Sequence, residues 1–334
     1  MEKTSRLSKP LQIGKLKLEN RLVLAHLTRF RADDNHVPLP IFRDYYAYRA
    51  SSPGTLLITE ATFIAPEAGG YDNAPGIWSK EQIKSWKDVT KAVHDKKCFI
   101  FLQLWALGRV ASLEVLKKEL GENAKVVGPS NIAKSKGGDT PTPLTEEEIQ
   151  NYIGYYRQAA INAIEAGFDG VEIHAAHGYL IDQFIQEVTN DRTDSWGGSI
   201  EFAIDVTKAV VEAIGPEKTG IKISPFSDFH GMRVRELHPQ FSYLAQELKK
   251  LNIAYLHAEC SRIYGTFFDE KSQKLDFLID IWGNKNPFLM AGNFSTDSAK
   301  KAVDVEYPFQ NIAVVFGTLS SNSDLDSRIR HGYS

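Results

Sequence analysis

The sequence predicts a single (β/α)8 barrel. Along the 334-residue chain, eight short runs rich in Val, Ile, Leu and Phe alternate with segments of helical period. Most of these runs are apolar at consecutive positions, which is typical of parallel strands that are covered by helices on both faces. Eight strand–helix units close such a barrel, and the chain length is suitable for it.

The predicted strands and helices alternate along the chain. The predicted strands are 21–27, 55–63, 97–105, 170–176, 220–226, 253–260, 287–294 and 311–318. Segments of helical period lie between them at 79–96, 145–166, 199–214, 238–251 and 296–304. The clearest helix begins at Thr145, where Glu148 completes a capping box, and ends at Gly167.

Two further segments complete the predicted architecture, in which residues 1–334 form one domain. The stretch 11–20, LQIGKLKLEN, alternates like a hairpin and would plug one end of the barrel. The stretch 107–144 after the third strand is too long for a simple connection and is predicted to form an active-site flap. A doubly wound open sheet is the alternative fold, but no G-x-G-x-x-G follows the first strand.

The composition excludes several classes of protein. A net charge of −3 provides no electrostatic reason to bind nucleic acid or an anionic membrane surface. The longest apolar stretch, CFIFLQLWALG, is far shorter than the ~20 residues that span a bilayer. The two cysteines, Cys98 and Cys260, are too few for a disulfide framework, and MEKTSRLSKP lacks the apolar core of a signal peptide. We therefore expect a cytoplasmic protein.

Polar residues at the carboxyl ends of the predicted strands mark the candidate site, because the chemistry of such barrels lies at that end. The stretch GFDGVEIHAAHGYLIDQFIQ, residues 167–186, places His174 at a strand end, followed by His177 and Tyr179. Gly178 allows a turn that brings both side chains over the barrel mouth. Other strand ends contribute Thr28, Gln103, Trp105, Lys222, Asn293, Gly317 and Thr318.

Two imidazoles and a phenol within six residues allow three interpretations. They could be zinc ligands, hydrogen-bond donors for a substrate, or ordinary polar residues at a strand end. A catalytic zinc usually requires a third His or a carboxylate, and nothing in the sequence singles out Asp228 or His257 for that role. No metal site is therefore predicted.

The segment 174–201, HAAHGYLIDQFIQEVTNDRTDSWGGSIE, resembles the signature of the old yellow enzyme family, which are FMN-dependent NAD(P)H ene-reductases on a (β/α)8 barrel. The resemblance continues in order through NRLVLAHLTRFRA, LLITEATFIAPEAGGYDNAPGIWS, FLQLWALGR, AGNFS and FGTLSSNSDL. It implies hydride transfer from NADPH or NADH, through FMN, to the C=C bond of an enone or enal, including unsaturated carbonyl compounds of specialised metabolism. It also implies a small-molecule partner. We expect a monomer or homodimer, and the sequence does not distinguish the two.

The resemblance assigns a role to each polar residue at the barrel mouth. His174 and His177 resemble the pair that grips the substrate's carbonyl oxygen, and Tyr179 resembles the acid that protonates its α-carbon. Trp105 resembles a wall of the substrate pocket. The positions that match FMN contacts are His26, Leu27, Thr28, Ala61, Gln103, Lys222, Gly292, Asn293, Gly317 and Thr318.

The chain also departs from the family pattern. His26 replaces the usual proline, Lys222 and Thr318 each replace an arginine, and Phe202-Ala203 replaces an Asn-Arg pair. These changes predict that FMN is held weakly, since a lysine lacks the planar donor fork of an arginine. Two alternatives stay open: a redox-neutral isomerase or cyclase that uses the same polar residues, and a non-catalytic binding protein.

Overall fold

The computed structural model describes residues 5–232, 237–260 and 274–317, together with Leu325, Arg328 and Ile329. Its strands are β1 (Leu11–Ile13), β2 (Leu16–Leu18), β3 (Leu22–Leu24), β4 (Leu56–Phe63), β5 (Phe99–Trp105), β6 (Val127–Gly128), β7 (Thr142–Pro143), β8 (Gly170–Ala175), β9 (Thr219–Ile223), β10 (Tyr255–Glu259), β11 (Phe288–Ala291) and β12 (Ile312–Phe316). Its α-helices are α1 (Ile41–Arg49), α2 (Lys80–His94), α3 (Leu113–Leu120), α4 (Glu146–Glu165), α5 (Leu180–Ile185), α6 (Glu201–Ile214), α7 (Leu237–Lys250), α8 (Asp276–Trp282) and α9 (Thr296–Lys301).

The predicted barrel is confirmed, and the open sheet was wrong. Strands β3, β4, β5, β8, β9, β10, β11 and β12 follow one another around a closed barrel in chain order, and every pair is parallel. Strands β4 and β8 are buried along their whole length, because their outer faces lie under helices while their inner faces fill the barrel. This explains why the sequence runs are apolar at consecutive positions.

The N-terminal hairpin plugs one end of the barrel, as predicted. Strands β1 and β2 are antiparallel, with Leu11 opposite Leu18. These two leucines and Ile13 form one buried cluster with barrel residues that include Val23 and Phe101. The hairpin therefore closes the amino-terminal end, and the opposite end is left for a site.

The long helices lie where the sequence predicts them. Helix α4 begins at Thr145, whose side chain and that of Glu148 form the predicted capping box, and Gly167 after it has a φ of +88°. The short helices α1, α3, α5 and α8, of six to nine residues each, were not found from periodicity, although the equally short α9 was predicted within 296–304. No helix in the described ranges is long and apolar enough to cross a membrane.

The excursion between β5 and α4 has structure of its own. It contains α3 and the paired strands β6 and β7. From its first turn, the guanidinium of Arg109 donates to the backbone oxygen of His230 at 2.7 Å, in the loop after β9. The excursion thus contacts a loop that borders the barrel mouth, and its role as a flap stays a prediction.

Candidate active site at the barrel mouth

A cavity of about 560 Å³ lies at the carboxyl ends of the barrel strands. Of the residues predicted for the site, its wall contains His26, Leu27, Thr28, Ala61, Gln103, Trp105, His174, His177, Tyr179, Lys222, Gly292, Asn293 and Gly317. Thr318 lies outside the described residues. The wall also contains Glu259 at the end of β10, which the sequence analysis missed.

One side of the cavity is an aromatic wall. Trp105 is only 2% exposed and stacks on Phe63, with ring centroids 4.9 Å apart. The ring of Tyr179 meets Trp105 edge-on at 4.9 Å and meets His174 at 5.0 Å. His174 lies in turn 5.6 Å from His177. The two imidazoles and the phenol are therefore held together against a rigid apolar surface.

The turn that carries His177 and Tyr179 is fixed from below by helix α5. His177 and Gly178 both have left-handed backbones, with φ of +57° and +73°. A Cβ at Gly178 would lie 2.8 Å from the Cβ of His230, so a glycine is required there. Asp182 accepts the Gly178 N–H at 2.8 Å, and Gln183 donates to the Gly178 oxygen at 2.7 Å. The predicted role of Gly178 is confirmed.

A buried chain of charged and polar groups crosses the floor of the cavity. Oε2 of Glu259 contacts Nε2 of His177 and lies 3.2 Å from Nζ of Lys222. The same Nζ lies 2.6 Å from Nε2 of His26. Because an ammonium only donates, Nε2 of His26 must accept, and the imidazole carries its proton on Nδ1. That Nδ1 is buried and has no hydrogen-bond partner among the described side chains and backbone.

A second polar layer lies in the barrel interior. Gln103 donates from Nε2 to Glu172 at 2.7 Å, and Nδ1 of His257 lies 2.8 Å from the other Glu172 oxygen. All three side chains are fully buried. The amide oxygen of Gln103 has no partner within the described ranges. It is therefore an acceptor without a donor.

His26, Glu172 and His257 offer potential ligand atoms within 4.8 Å of one another. The surroundings oppose a cation, since both Glu172 oxygens are already hydrogen-bonded and the Lys222 ammonium contacts His26. His177 does not present a free His-x-x-His pair, because Glu259 holds its Nε2. The expectation that the protein has no metal site stays a prediction.

The charges of this network follow from burial and from Lys222. Burial lowers the pKa of His26, His174 and His177, and the nearby Lys222 ammonium lowers each further. Burial alone would raise the pKa of Glu259, but Lys222 and then His177 hold it well below its usual range. The floor therefore carries one carboxylate and one ammonium among neutral imidazoles.

Phe202 and Ala203, which are predicted to depart from the family pattern, are not among the residues of the cavity wall. Phe202 packs against Phe184 at 4.4 Å and against Trp196 at 6.4 Å in the helical layer, and Ala203 is fully buried. Phe202 thus packs on α5, and the expectation that this pair weakens FMN binding stays a prediction.

Comparisons with known proteins agree with the geometry. A sequence profile of the NADH:flavin oxidoreductase / NADH oxidase family matches residues 6–334. Chanoclavine-I aldehyde reductase fgaOx3 of Penicillium roqueforti is 51% identical over 98% of this chain and 90% of its own length. The probable inactive reductase easA of Epichloe festucae var. lolii is 46% identical over 98% of this chain and 89% of its own.

A solved structure shares the architecture. Old yellow enzyme from Pichia sp. AKU4542 superposes with a TM-score of 0.89 at 33% identity, covering 99% of this chain and 88% of that one. The match spans the barrel and the residues at its mouth alike. The chain belongs to the NADH:flavin oxidoreductase / NADH oxidase family, and within it to the flavin-dependent ene-reductases of the old yellow enzyme family.

Proposed function

We propose that the protein uses NADPH or NADH and FMN to reduce the C=C bond of an α,β-unsaturated aldehyde or ketone. The observation that carries this proposal is the convergence of His174, His177 and Tyr179 on one cavity, with the ring of His174 within 5.6 Å of both other rings. Hydrogen-bond donors beside a proton donor are the groups that the reduction of a conjugated carbonyl compound requires.

The residues of the cavity fit FMN. Its isoalloxazine ring has a pyrimidine edge on which one N–H stands between two carbonyl oxygens. The unpartnered oxygen of Gln103 would accept from such an N–H, and Nδ1–H of His26 would donate to one of the carbonyls. At about 560 Å³ the cavity is within the range of small-molecule and cofactor sites.

A second observation supports the fit. A Cβ on Gly317 would meet no atom of the described residues within 4 Å, so the backbone there borders space that a cofactor could occupy. Thr28, Ala61, Lys222, Gly292 and Asn293 complete the set that would hold the cofactor. Bound FMN would supply the hydride that the β-carbon receives after NAD(P)H has reduced the cofactor.

The protein's own residues do the remaining chemistry. His174 and His177 hold the carbonyl oxygen and stabilise the negative charge that grows on it. Tyr179 delivers a proton to the α-carbon, for which a phenol suits because it is protonated at neutral pH. Trp105, which is held in place by its stack on the buried Phe63, offers an apolar surface of the cavity against which the substrate would lie.

We also propose that FMN is held weakly and that the substrate is an unsaturated aldehyde. The charge of Lys222 is shared with Glu259 at 3.2 Å and with His26 at 2.6 Å, which leaves less of it for the cofactor. The name of the aldehyde reductase relative supports the substrate class. Monomer or homodimer, and a cytoplasmic location, stay predictions from the sequence.

The test is the position of hydride delivery. The FMN-saturated protein is incubated with cinnamaldehyde and NADPH that carries deuterium at its transferable position. The proposal predicts a saturated aldehyde with deuterium on the β-carbon. An allylic alcohol would instead indicate carbonyl reduction. No product from FMN-saturated protein, with this substrate and with cyclohexenone, would favour the non-catalytic alternative that the name of the easA relative raises.

A further inference from the structure

Glu259 controls which nitrogen of His177 can meet a ligand. Its side chain is 8% exposed, and its Oε2 contacts Nε2 of His177. A carboxylate only accepts hydrogen bonds, so Nε2 of His177 carries the proton. The Lys222 ammonium at 3.2 Å stabilises the ionised state of Glu259. The tautomer of His177 is therefore set by a residue on a different strand.

The other nitrogen of His177, Nδ1, is left for the ligand. It has no hydrogen-bond partner in the described parts of the chain, and the side chain is 17% exposed in the cavity wall. In the neutral ring, Nδ1 is a bare acceptor. It can donate to a carbonyl or enolate oxygen only after it binds a second proton, and Glu259 is then the counter-charge of the imidazolium.

We propose that Glu259 is a positioning residue that makes His177 take up one proton when an oxygen anion binds in the cavity. The N–H bond forms at Nδ1 with a proton from solvent, and the positive charge offsets that of the anion. This inference rests on the proposed function, because the anion stands for the enolate oxygen of the substrate. It adds Glu259 as a residue on which the binding of the carbonyl oxygen by His174 and His177 depends, although Glu259 does not itself touch the substrate.

Several titratable groups face His177 and belong to this equilibrium. They are Lys222 on β9, Glu259 and His257 on β10, His174 on β8, Tyr179 beyond the turn, His230 in the loop after β9, and His26 after β3. The burial of the ring and then Lys222 oppose protonation, and Glu259 favours it. An anion bound in the cavity would favour the protonated form of His177, as the carboxylate of Glu259 does. We therefore couple proton uptake by His177 to ligand binding.

The experiment measures protons taken up with 4-nitrophenol at pH values where this probe is already ionised in solution. Calorimetric titrations of FMN-loaded protein, in two buffers of different ionisation enthalpy, count the protons. The parent should take up about one proton, and its Kd should rise about tenfold per pH unit. In Glu259→Gln the uptake should fall towards zero and the Kd should become insensitive to pH. Glu165→Gln, an exposed position on α4, should behave like the parent.

His177→Asn identifies the titrating group and covers the case in which Glu259→Gln does not fold. An asparagine donates without titrating, so uptake should be lost there too. Binding by the parent without proton uptake would overturn the role of Glu259 but not the proposed function, since the other neutral tautomer of His177, with its proton on Nδ1, donates without taking up a proton. Uptake that persists in Glu259→Gln or in His177→Asn would also overturn it. No binding of the phenolate to the parent at any pH would overturn both.

Discussion

Nζ of Lys222 lies 2.6 Å from Nε2 of His26, so two of the positions that are predicted to depart from the family pattern are in direct contact. The contact makes His26 a neutral imidazole with its proton on Nδ1, and that N–H is buried without an acceptor in the described protein. Lys222, on β9, therefore fixes the Nδ1–H of His26, which follows β3, as a further hydrogen-bond donor at the site. We infer that the pair serves the flavin ring together.

The first prediction concerns this donor. His26→Ala should weaken binding of FMN and of riboflavin to the same extent, about three- to tenfold, because the lost hydrogen bond is to the ring that both flavins share. Fluorescence titrations of the flavin-free protein measure both affinities. His94→Ala, at an exposed position on α2, should leave them unchanged. Unchanged riboflavin affinity in His26→Ala would show that Nδ1 does not meet the flavin.

The two glycines at the ends of β11 and β12 should respond differently to alanine. At Gly317 the added methyl group would meet no atom of the described part of the chain, so Gly317→Ala should lower FMN affinity without lowering the Tm of the flavin-free protein. At Gly292, where φ is +136° and a Cβ would lie 2.9 Å from that of Cys260, alanine should lower the Tm itself. Calorimetric melting and FMN titration separate the two. Full FMN affinity in Gly317→Ala would remove this residue from the cofactor site.

Tyr179→Phe should separate the two half-reactions. Consumption of NADPH in the first half should be unaffected, while reoxidation by cyclohexenone should slow by ~10²–10⁴, the usual contribution of a proton donor. Stopped-flow absorbance follows each phase. Tyr71→Phe is the matched control, because Tyr71 also packs against Trp105 but is not part of the cavity wall. Parental reoxidation in Tyr179→Phe would mean that another group supplies the proton.

The buried Asp182 should make stability depend on pH. Burial raises its pKa from 3.8 to about 7, so the folded state favours the protonated acid, and this stabilisation is lost as pH rises from about 4 to 7. Between pH 4.5 and 8 the parent should therefore lose roughly 3 kcal/mol from this group. Asp182→Asn should remove that part of the decline, as measured by urea unfolding. Glu60, whose pKa burial also raises to about 7, leaves a residual decline. An equal decline in both proteins would contradict the assignment.

Most of the fold could be predicted from the sequence, because apolar strands and amphipathic helices alternate with a clear period. The site residues at strand ends could be predicted for the same reason: a parallel barrel gathers the carboxyl ends of its strands at one mouth. His174, Gln103 and Lys222 come from three different strands, and all line one cavity. Their roles came from the resemblance and not from the spacing.

The residues that connect the site were harder to find. Three of these residues lie inside strands whose other residues are mostly apolar, and their partners lie on other strands: Glu172, His257 and Glu259. One signal was available: His257 and Glu259 are two residues apart on β10, so they point to the same face. The contact between His26 and Lys222 had no such signal, because it joins positions 196 residues apart.

The most direct test of the account is a colour cycle without oxygen. The purified protein, supplied with FMN and freed of excess by rapid gel filtration, should show the yellow absorbance of a flavoprotein. NADPH should bleach it, and a stoichiometric amount of cyclohexenone should restore the colour with formation of cyclohexanone. A protein that stays colourless after reconstitution, or that is bleached by NADPH but not restored by any unsaturated carbonyl compound, would contradict the assignment of an FMN-dependent ene-reductase.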